Sequence, residues 1–358
     1  MVTVSLCLIV RNEEAVLERL LDSVTGVFDE IIIVDTGSTD KTREIAMEHT
    51  PDVYDFPWID DFAAARNFSF SKATMDYWMW MDADDVLEPE DRDEFLDLKR
   101  VLDKETDTVM MRYNVAFDQS GNPTMSYMRE RLIKRCDQLP WVGAVHEVIV
   151  PRGIILYSNI AISHKKLGPG DPDRNLRIYE KQLADGKQLD ARAKYYYARE
   201  LYYHGRYSDA AKVFCEFMTM DTAWQENLIE ACQMLSRCMY AMNQDDAALE
   251  ALFRSFCYDA PRAEICCDIG KHFFDRNRYQ TAIYWYEQAG AQTLAPGAKG
   301  FRSPECYDYI PNIQLCMCYY RQGDIAKAEE YNEKAGEIKP ESKSYLHNKN
   351  YFNSLHTS

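Results

Sequence analysis

Long apolar runs are missing from this chain of 358 residues. None approaches the roughly 18 residues of a membrane-spanning helix, so no transmembrane segment is expected. Residues 1–10 are apolar but lack a basic flank and a small-residue cleavage site, and they do not read as a signal peptide. Positive charge is scarce: 41 Lys and Arg against 58 Asp and Glu leave a formal net charge of −17. So acidic a surface disfavours nucleic acid and anionic lipid as partners. It still admits a nucleotide, because a divalent metal and a few Arg can neutralise a diphosphate locally. Paired C-x-x-C zinc motifs are absent although there are 11 Cys. Cys266-Cys267 and Cys316/Cys318 lie inside apolar helical patterns, where thiols serve as small buried hydrophobes in a reducing compartment. The expected location is the cytoplasm. No G-x-G-x-x-G follows the first apolar run, which argues against a dinucleotide-dependent oxidoreductase.

What is present is globular. Apolar residues make up 46% and aromatics 13%, and the length suits two domains with separate cores. The first third alternates short apolar runs with helical patterns. Strands are expected over 2–10, 30–34, 53–54 and 77–81, and helices over 13–24, from the polar turn at 35–40 to about residue 49, and over 62–73. That alternation predicts a parallel sheet with helices on both faces. Ligands of such sheets bind at the carboxyl ends of the strands, where Arg11-Asn12, Asp35 and Asp82 to Asp85 fall. Further strands are expected over 108–117, 128–134 and 154–163. Gly168-Pro169-Gly170-Asp171-Pro172 then breaks the chain.

Beyond Arg174 the pattern is helical and repeats. Turn-like residues Gly205, Asn243, Asn277 and Gly323 each precede a small residue: Ala210, Ala248, Ala282 and Ala328, spaced by 38, 34 and 46. This resembles tetratricopeptide repeats, with a period of about 34, in which the small residue lets two helices of a hairpin approach closely. An irregular helical bundle is the plainer alternative. An insertion is expected over 295–311. The domains expected are 1–170, 171–341 and a polar tail at 342–358, loose unless Tyr345, Tyr351 and Phe352 dock a short helix.

Chemistry concentrates in Trp80-Met81-Asp82-Ala83-Asp84-Asp85, three carboxylates at the end of an expected strand. Crowded like charges repel, and a hard divalent cation relieves the repulsion while accepting oxygen ligands. A solvated acidic turn or helix start is the bland alternative, since Glu88, Glu90 and Asp91 follow. The context decides between them. Residues 4–14, VSLCLIVRNEE; 30–42, EIIIVDTGSTDKT; 62–67, FAAARN; and 80–85, WMDADD, come in order at family spacing. Over roughly residues 2–165 the chain resembles glycosyltransferase family 2, of the GT-A fold. The fold class expected is therefore a Rossmann-like α/β domain with a mixed sheet, followed by an all-α domain of helical-hairpin repeats.

The resemblance implies roles for individual residues. Asp35 matches the aspartate that hydrogen-bonds the nucleotide base, usually uracil. Arg11, Asn12 and Glu13 match the loop lining that base, and Arg66 the arginine near base and diphosphate. Without the resemblance, Asp35 is a turn residue, the loop a helix start, and Arg66 a partner of Asp60 or Asp61. Asp82 is expected near the ribose and donor sugar, Asp84 as the principal metal ligand, and Asp85 beside the sugar hydroxyls or the metal's waters. In Trp141-Val142-Gly143-Ala144-Val145-His146-Glu147 the family's inverting members place a carboxylate general base, which Glu147 fits. His146 competes, because a free imidazole titrates near 6.5. His164, 17 residues after Glu147, matches a further metal ligand used by several related enzymes; a strand-end structural histidine is the alternative. Trp58 and Trp141 suit either sugar stacking or core packing.

The cofactors implied are a divalent metal, Mn²⁺ or Mg²⁺, and a UDP-sugar as donor. The fused repeats resemble a bacterial subgroup, some of whose relatives modify peptides or proteins. The acceptor expected is a protein or peptide docked on the repeats, with a lipid carrier or surface glycan as alternatives; the repeats could instead mediate homo-oligomerisation. Transfer with inversion accounts for Asp35, Arg66, Asp84 and Glu147 together. A non-catalytic adaptor with a vestigial transferase domain would be expected to have lost one of them.

Overall fold

The computed structural model describes residues 1–118, 121–136, 140–168, 170–294 and 302–356. Contacts divide the chain into Met1–Lys187 and Gln188–Ser358.

In the first unit, strands β1 (Val4–Val10), β2 (Glu30–Asp35), β3 (Val53–Asp55) and β4 (Tyr77–Trp80) alternate with helices α1 (Leu17–Ser23), α2 (Thr42–His49) and α3 (Phe62–Lys72). There follow β5 (Asp85–Val86), α4 (Pro89–Val101), β6 (Thr108–Phe117), β7 (Pro123–Lys134), β8 (Ile155–His164) and α5 (Arg174–Ala184). One sheet runs β3-β2-β1-β4-β7-β6-β8-β5. The first four strands pair in parallel, β7 turns antiparallel to β4 and to β6, and β8 lies parallel to β6. The carboxyl ends of β1, β2 and β4 therefore share one edge of the sheet.

Alternation along β1 explains the two faces. Val4, Leu6 and Leu8 pack with Leu17 and Leu20 of α1 and Phe95 of α4, whereas Cys7 faces Ala63 and Phe70 of α3 together with Trp78 and Trp80. The helix expected over 13–24 begins only at Leu17. Upstream, Asn12 is left-handed (φ 54), and the amides of Glu13 and Glu14 donate to Thr42 Oγ1 and Asp40 Oδ2 instead of starting a helix.

The boundary expected at 170/171 lies further along, between Lys187 and Gln188. Helix α5 stays with the first unit: Arg174 sits 4.6 Å over the Phe62 ring, and Lys181 pairs with Asp60. No described helix is long and apolar enough to cross a membrane.

The second unit is a run of antiparallel helix pairs: α6 (Ala191–Tyr203) with α7 (Tyr207–Phe217), α8 (Gln225–Ala241) with α9 (Asp245–Arg254), α10 (Ala263–Asp275) with α11 (Tyr279–Gly290), and α12 (Tyr309–Arg321) with α13 (Ile325–Ile338). The four aligned alanines are each fully buried on the second helix of a pair. The four aligned turn residues, Gly205, Asn243, Asn277 and Gly323, all have positive φ. Each closes the preceding helix the same way, as in Gly205 N to Tyr202 O (2.9 Å) and Arg206 N to Leu201 O (2.9 Å). This left-handed cap satisfies otherwise orphaned carbonyls and reverses the chain within three residues. Residues 295–301 of the expected insertion, and Thr357 and Ser358, lie outside the described residues.

The tail expected to be loose is mostly a helix, α14 (Lys343–His356), which buries Tyr345 and Phe352. A Cβ added to Gly336 of α13 would stand 2.3 Å from Tyr345 Cε2. Gly336→Ala should therefore lower stability in urea denaturation by about 1–2 kcal/mol, the overpacking outweighing a helix-propensity gain of about 1 kcal/mol. A stabilised variant would show that α14 does not close on α13 in this way.

Candidate active site

Two loops at the strand ends interlock. Asp35, at the end of β2, is buried, and its Oδ1 accepts from Gly37 N (3.1 Å) and Ser38 N (2.8 Å). Gly37 has φ +101, a conformation that suits glycine. After β1, Asn12 donates its amide to Ser38 Oγ (3.0 Å) and accepts from Thr39 N (2.8 Å) through Oδ1. Arg11 beside it is exposed. Turn geometry thus uses one oxygen of Asp35, while Oδ2 makes no hydrogen bond among the described residues.

Helix α3 supplies the centre. Asp61 caps it, accepting from Ala64 N (2.9 Å), and one turn on Arg66 is buried. The Arg66 guanidinium donates through Nε to Glu147 Oε1 and through Nη2 to Asp82 Oδ1, each at 2.7 Å. It lies 5.0 Å from the Trp80 ring and 4.9 Å from that of Trp141. The pairing with Asp60 or Asp61 considered from sequence is replaced: Asp60 binds Trp58 Nε1 and Lys181, and Asp61 caps the helix. Trp141 is buried against Trp80 and Phe70, so it is core.

Asn67 explains how a residue 81 positions away reaches Arg66. Its side chain donates to Trp141 O (2.9 Å) and accepts from Trp141 N (2.8 Å), while Phe62 N donates to Ala144 O (2.9 Å). Gly143 (φ +95) and a bridge between Val142 and Val148 then fold the loop so that Glu147 returns to the helix. His146 shares the loop with a left-handed backbone, φ 53.

The acidic cluster divides by depth. Burial alone would raise Asp82, but Arg66 and Arg131 outweigh it and hold the carboxyl down at about 2. Asp85 is fully buried: Oδ2 accepts from Arg131 Nη1 (3.1 Å) and Asp82 N (3.0 Å), and Oδ1 from the Tyr113 hydroxyl (2.9 Å). His164 pairs with Asp85 in the register of β8 against β5, and its Nδ1 lies 3.2 Å from both Asp84 Oδ1 and Asp85 Oδ1. Hydrogen bonds to those two carboxylates push His164 up to about 10. Arg131 and Tyr113 were not foreseen. No sequence signal marks Arg131, which follows Arg129 and Glu130 in β7.

Asp84, Asp85 and His164 offer ligand atoms all within 4.8 Å of one another; Asp85 is fully buried in its pair with Arg131, which leaves Asp84 and His164, a carboxylate and an imidazole, as the open donors that fit Mn²⁺ or Mg²⁺. The charge supports that fit, for the acidic groups outnumber the Arg compensating them. Burial, together with Asp84, Asp82 and Asp40, pushes Glu13 up to about 7.

Residues 5–149, less than half of the chain, match the family model "Glycosyl transferase family 2". A TPR repeat-containing protein of Synechococcus elongatus is 47% identical over 87 residues, 24% of this chain and 22% of that protein. The SPbeta prophage-derived glycosyltransferase SunS of Bacillus subtilis is 28% identical over 197 residues, 51% of this chain and 45% of that protein. The chain thus spans less than half the length of these relatives. Among solved structures, the MamA protein is similar at TM-score 0.37 and 22% identity over 47% of this chain and 82% of that one. Residues 5–149 are a family 2 glycosyl transferase domain, followed by tetratricopeptide-like helical repeats.

The raised Glu13 carboxyl has a measurable consequence. The folded chain keeps that proton to higher pH than the unfolded chain, so stability contributed here falls as pH rises from the free-carboxyl value of 4.5 through about 7. In chelator, the wild type should lose up to about 2 kcal/mol relative to Glu13→Gln between about pH 5 and pH 8, solvent screening included. Saturating Mn²⁺ should shrink that difference. Parallel urea-denaturation profiles in chelator would contradict the placement of Glu13.

Proposed function

We propose that the strand-end cluster is the donor site of a metal-dependent, inverting glycosyltransferase that moves a sugar from a UDP-sugar to an acceptor. The observation that carries the reading is Arg66, one buried guanidinium tying Glu147 to Asp82 beside the cluster of Asp84, Asp85 and His164. Asp35 would meet the imide N–H of uracil with its remaining oxygen, and Arg11, Asn12 and Glu13 would line the base. Asp82, whose side chain is 34% exposed, can reach the ribose or donor sugar. Arg66 faces the diphosphate side. Asp84 and His164 would hold a divalent cation, which when bound supplies positive charge to the departing nucleoside diphosphate. Asp85, fully buried, acts behind these residues and does not touch the sugar.

Glu147 is the proposed general base. Arg66 fixes one of its oxygens, and Oε2 makes no hydrogen bond among the described residues. That oxygen would take the proton from the acceptor nucleophile as it attacks the anomeric carbon from the face opposite the leaving diphosphate. His146 is the neighbouring alternative. The helical-hairpin unit supports a protein or peptide acceptor, since such arrays offer extended binding surfaces.

Calorimetric titration of UDP with and without Mn²⁺ tests the donor site. Binding should require the metal and be lost in Asp84→Ala; metal-independent binding unaffected by that substitution would remove the metal-dependent reading, and no UDP binding in either condition would favour a vestigial transferase domain. Once a donor is found, Glu147→Gln should lower kcat by about 10²–10⁴ with UDP affinity unchanged, against a few-fold for His146→Ala. The reverse ranking would make His146 the base, and retention at the anomeric carbon would contradict inversion.

A further inference from the structure

Arg131 and Asp85 are an ion pair with no solvent exposure at either side chain. The guanidinium is clamped 3.8 Å over the Trp80 ring and 4.2 Å over that of Tyr113. Its Nη1 donates to Asp85 Oδ2 (3.1 Å) and to Trp80 O (3.0 Å), while Nε and Nη2 have no hydrogen-bond partner among the described residues. A buried pair with two unspent donors is not accounted for by stability, since apolar residues of similar volume would often serve as well.

What the pair does fix is a direction. With Oδ2 held by Arg131 and by Asp82 N, Asp85 presents Oδ1 to the Tyr113 hydroxyl and to His164 Nδ1. The Tyr113 oxygen is itself 2.9 Å from Nδ1, so one ring nitrogen meets Tyr113, Asp85 and Asp84. Nε2 makes no hydrogen bond among the described residues. Engaging one imidazole nitrogen from behind selects the ring's orientation and leaves the other for a ligand.

We propose that Arg131 and Asp85 are a positioning pair that, with Tyr113, locks Nδ1 of His164 and leaves Nε2 as the ring nitrogen open to a cation. The purpose of the arrangement rests on the metal-dependent reading above; the orientation of the ring does not. The sign of the effect separates this role from background electrostatics. Removing a positive charge beside a cation site should tighten cation binding by Coulomb's law alone. Removing a positioning residue should weaken it, typically 10–100-fold.

The test reads His164 directly, by ¹⁵N NMR of the imidazole in metal-free protein, and pairs it with Mn²⁺ titration followed by electron paramagnetic resonance. In Arg131→Met, read at a temperature where the variant is still folded because Asp85 loses its buried partner, the Nδ1 resonance of His164 should move while the other histidines stay put, and Mn²⁺ should bind about tenfold more weakly or worse. Arg131→Lys should restore part of both. Should Arg131→Met not fold, Tyr113→Phe keeps the ion pair and removes one partner of Nδ1, and should move the same resonance. An unmoved His164 resonance in a folded variant, or tighter Mn²⁺ binding, would overturn the proposal. A wild type that binds no Mn²⁺ would overturn the metal-dependent reading and the presentation of Nε2 to a cation, while the resonance would still decide whether Arg131 orients the ring.

Discussion

Carboxylates crowd the carboxyl edge of this sheet, and two buried guanidinium groups make that crowding tolerable. Arg66 pairs with both Asp82 and Glu147, and Arg131 with Asp85. Both lie over the Trp80 ring, Arg66 at 5.0 Å and Arg131 at 3.8 Å from its centroid. Leaving one partner of such a pair without the other in a low-dielectric interior costs about 3–5 kcal/mol, so the two pairs constrain the elements that carry them. Beyond these pairs lie Asp84, which meets His164, and the raised carboxyl of Glu13, so that carboxylates still outnumber cationic groups at a partly exposed edge where a cation fits.

The fold is arranged around delivering those charges. Parallel strands bring Asp35 and Asp82 to one edge because β1 pairs with β2 on one side and β4 on the other. The change to antiparallel pairing at β7 brings Arg131 beside Trp80 from a distant stretch of chain, and β8 returns His164 to Asp85. Asn67, next in sequence to Arg66, clamps the loop that carries Glu147, so adjacent residues of α3 bind Glu147 and hold its loop. Sequence spacing alone would not place Glu147 within a hydrogen bond of Arg66.

Much of this was legible in the sequence. The β-branched runs of β2 and the aromatic run of β4 mark strands because their side chains suit a buried pleated surface, and the polar turns after them mark the ligand edge. In the second unit, the buried alanines and left-handed turn residues mark four hairpins, since steric limits leave few residue choices at those positions. Residues whose meaning depends on distant partners were not legible. Arg131 reads as one charge among several in Arg129-Glu130-Arg131, and only the sheet register buries it. Asp85 is indistinguishable from Asp84 by type, yet one peptide later the chain turns it into the core. The start of α1 was misplaced because amides at 13 and 14 bond across to the next loop. For the tail, the alternative of a short helix docked by Tyr345 and Phe352 held over the loose segment, and what the sequence did not reveal is that Gly336 makes room for Tyr345.

The central claim is that the carboxylate-rich edge at the ends of β4 and β8 is a cation and diphosphate site. The most direct measurement is anomalous diffraction at the manganese edge from a crystal grown with Mn²⁺ and UDP. The account predicts one strong peak against Asp84 and His164, with the diphosphate beside it and Arg66 still bridging Asp82 and Glu147. A manganese peak elsewhere, or UDP seated away from this edge of the sheet, would contradict it.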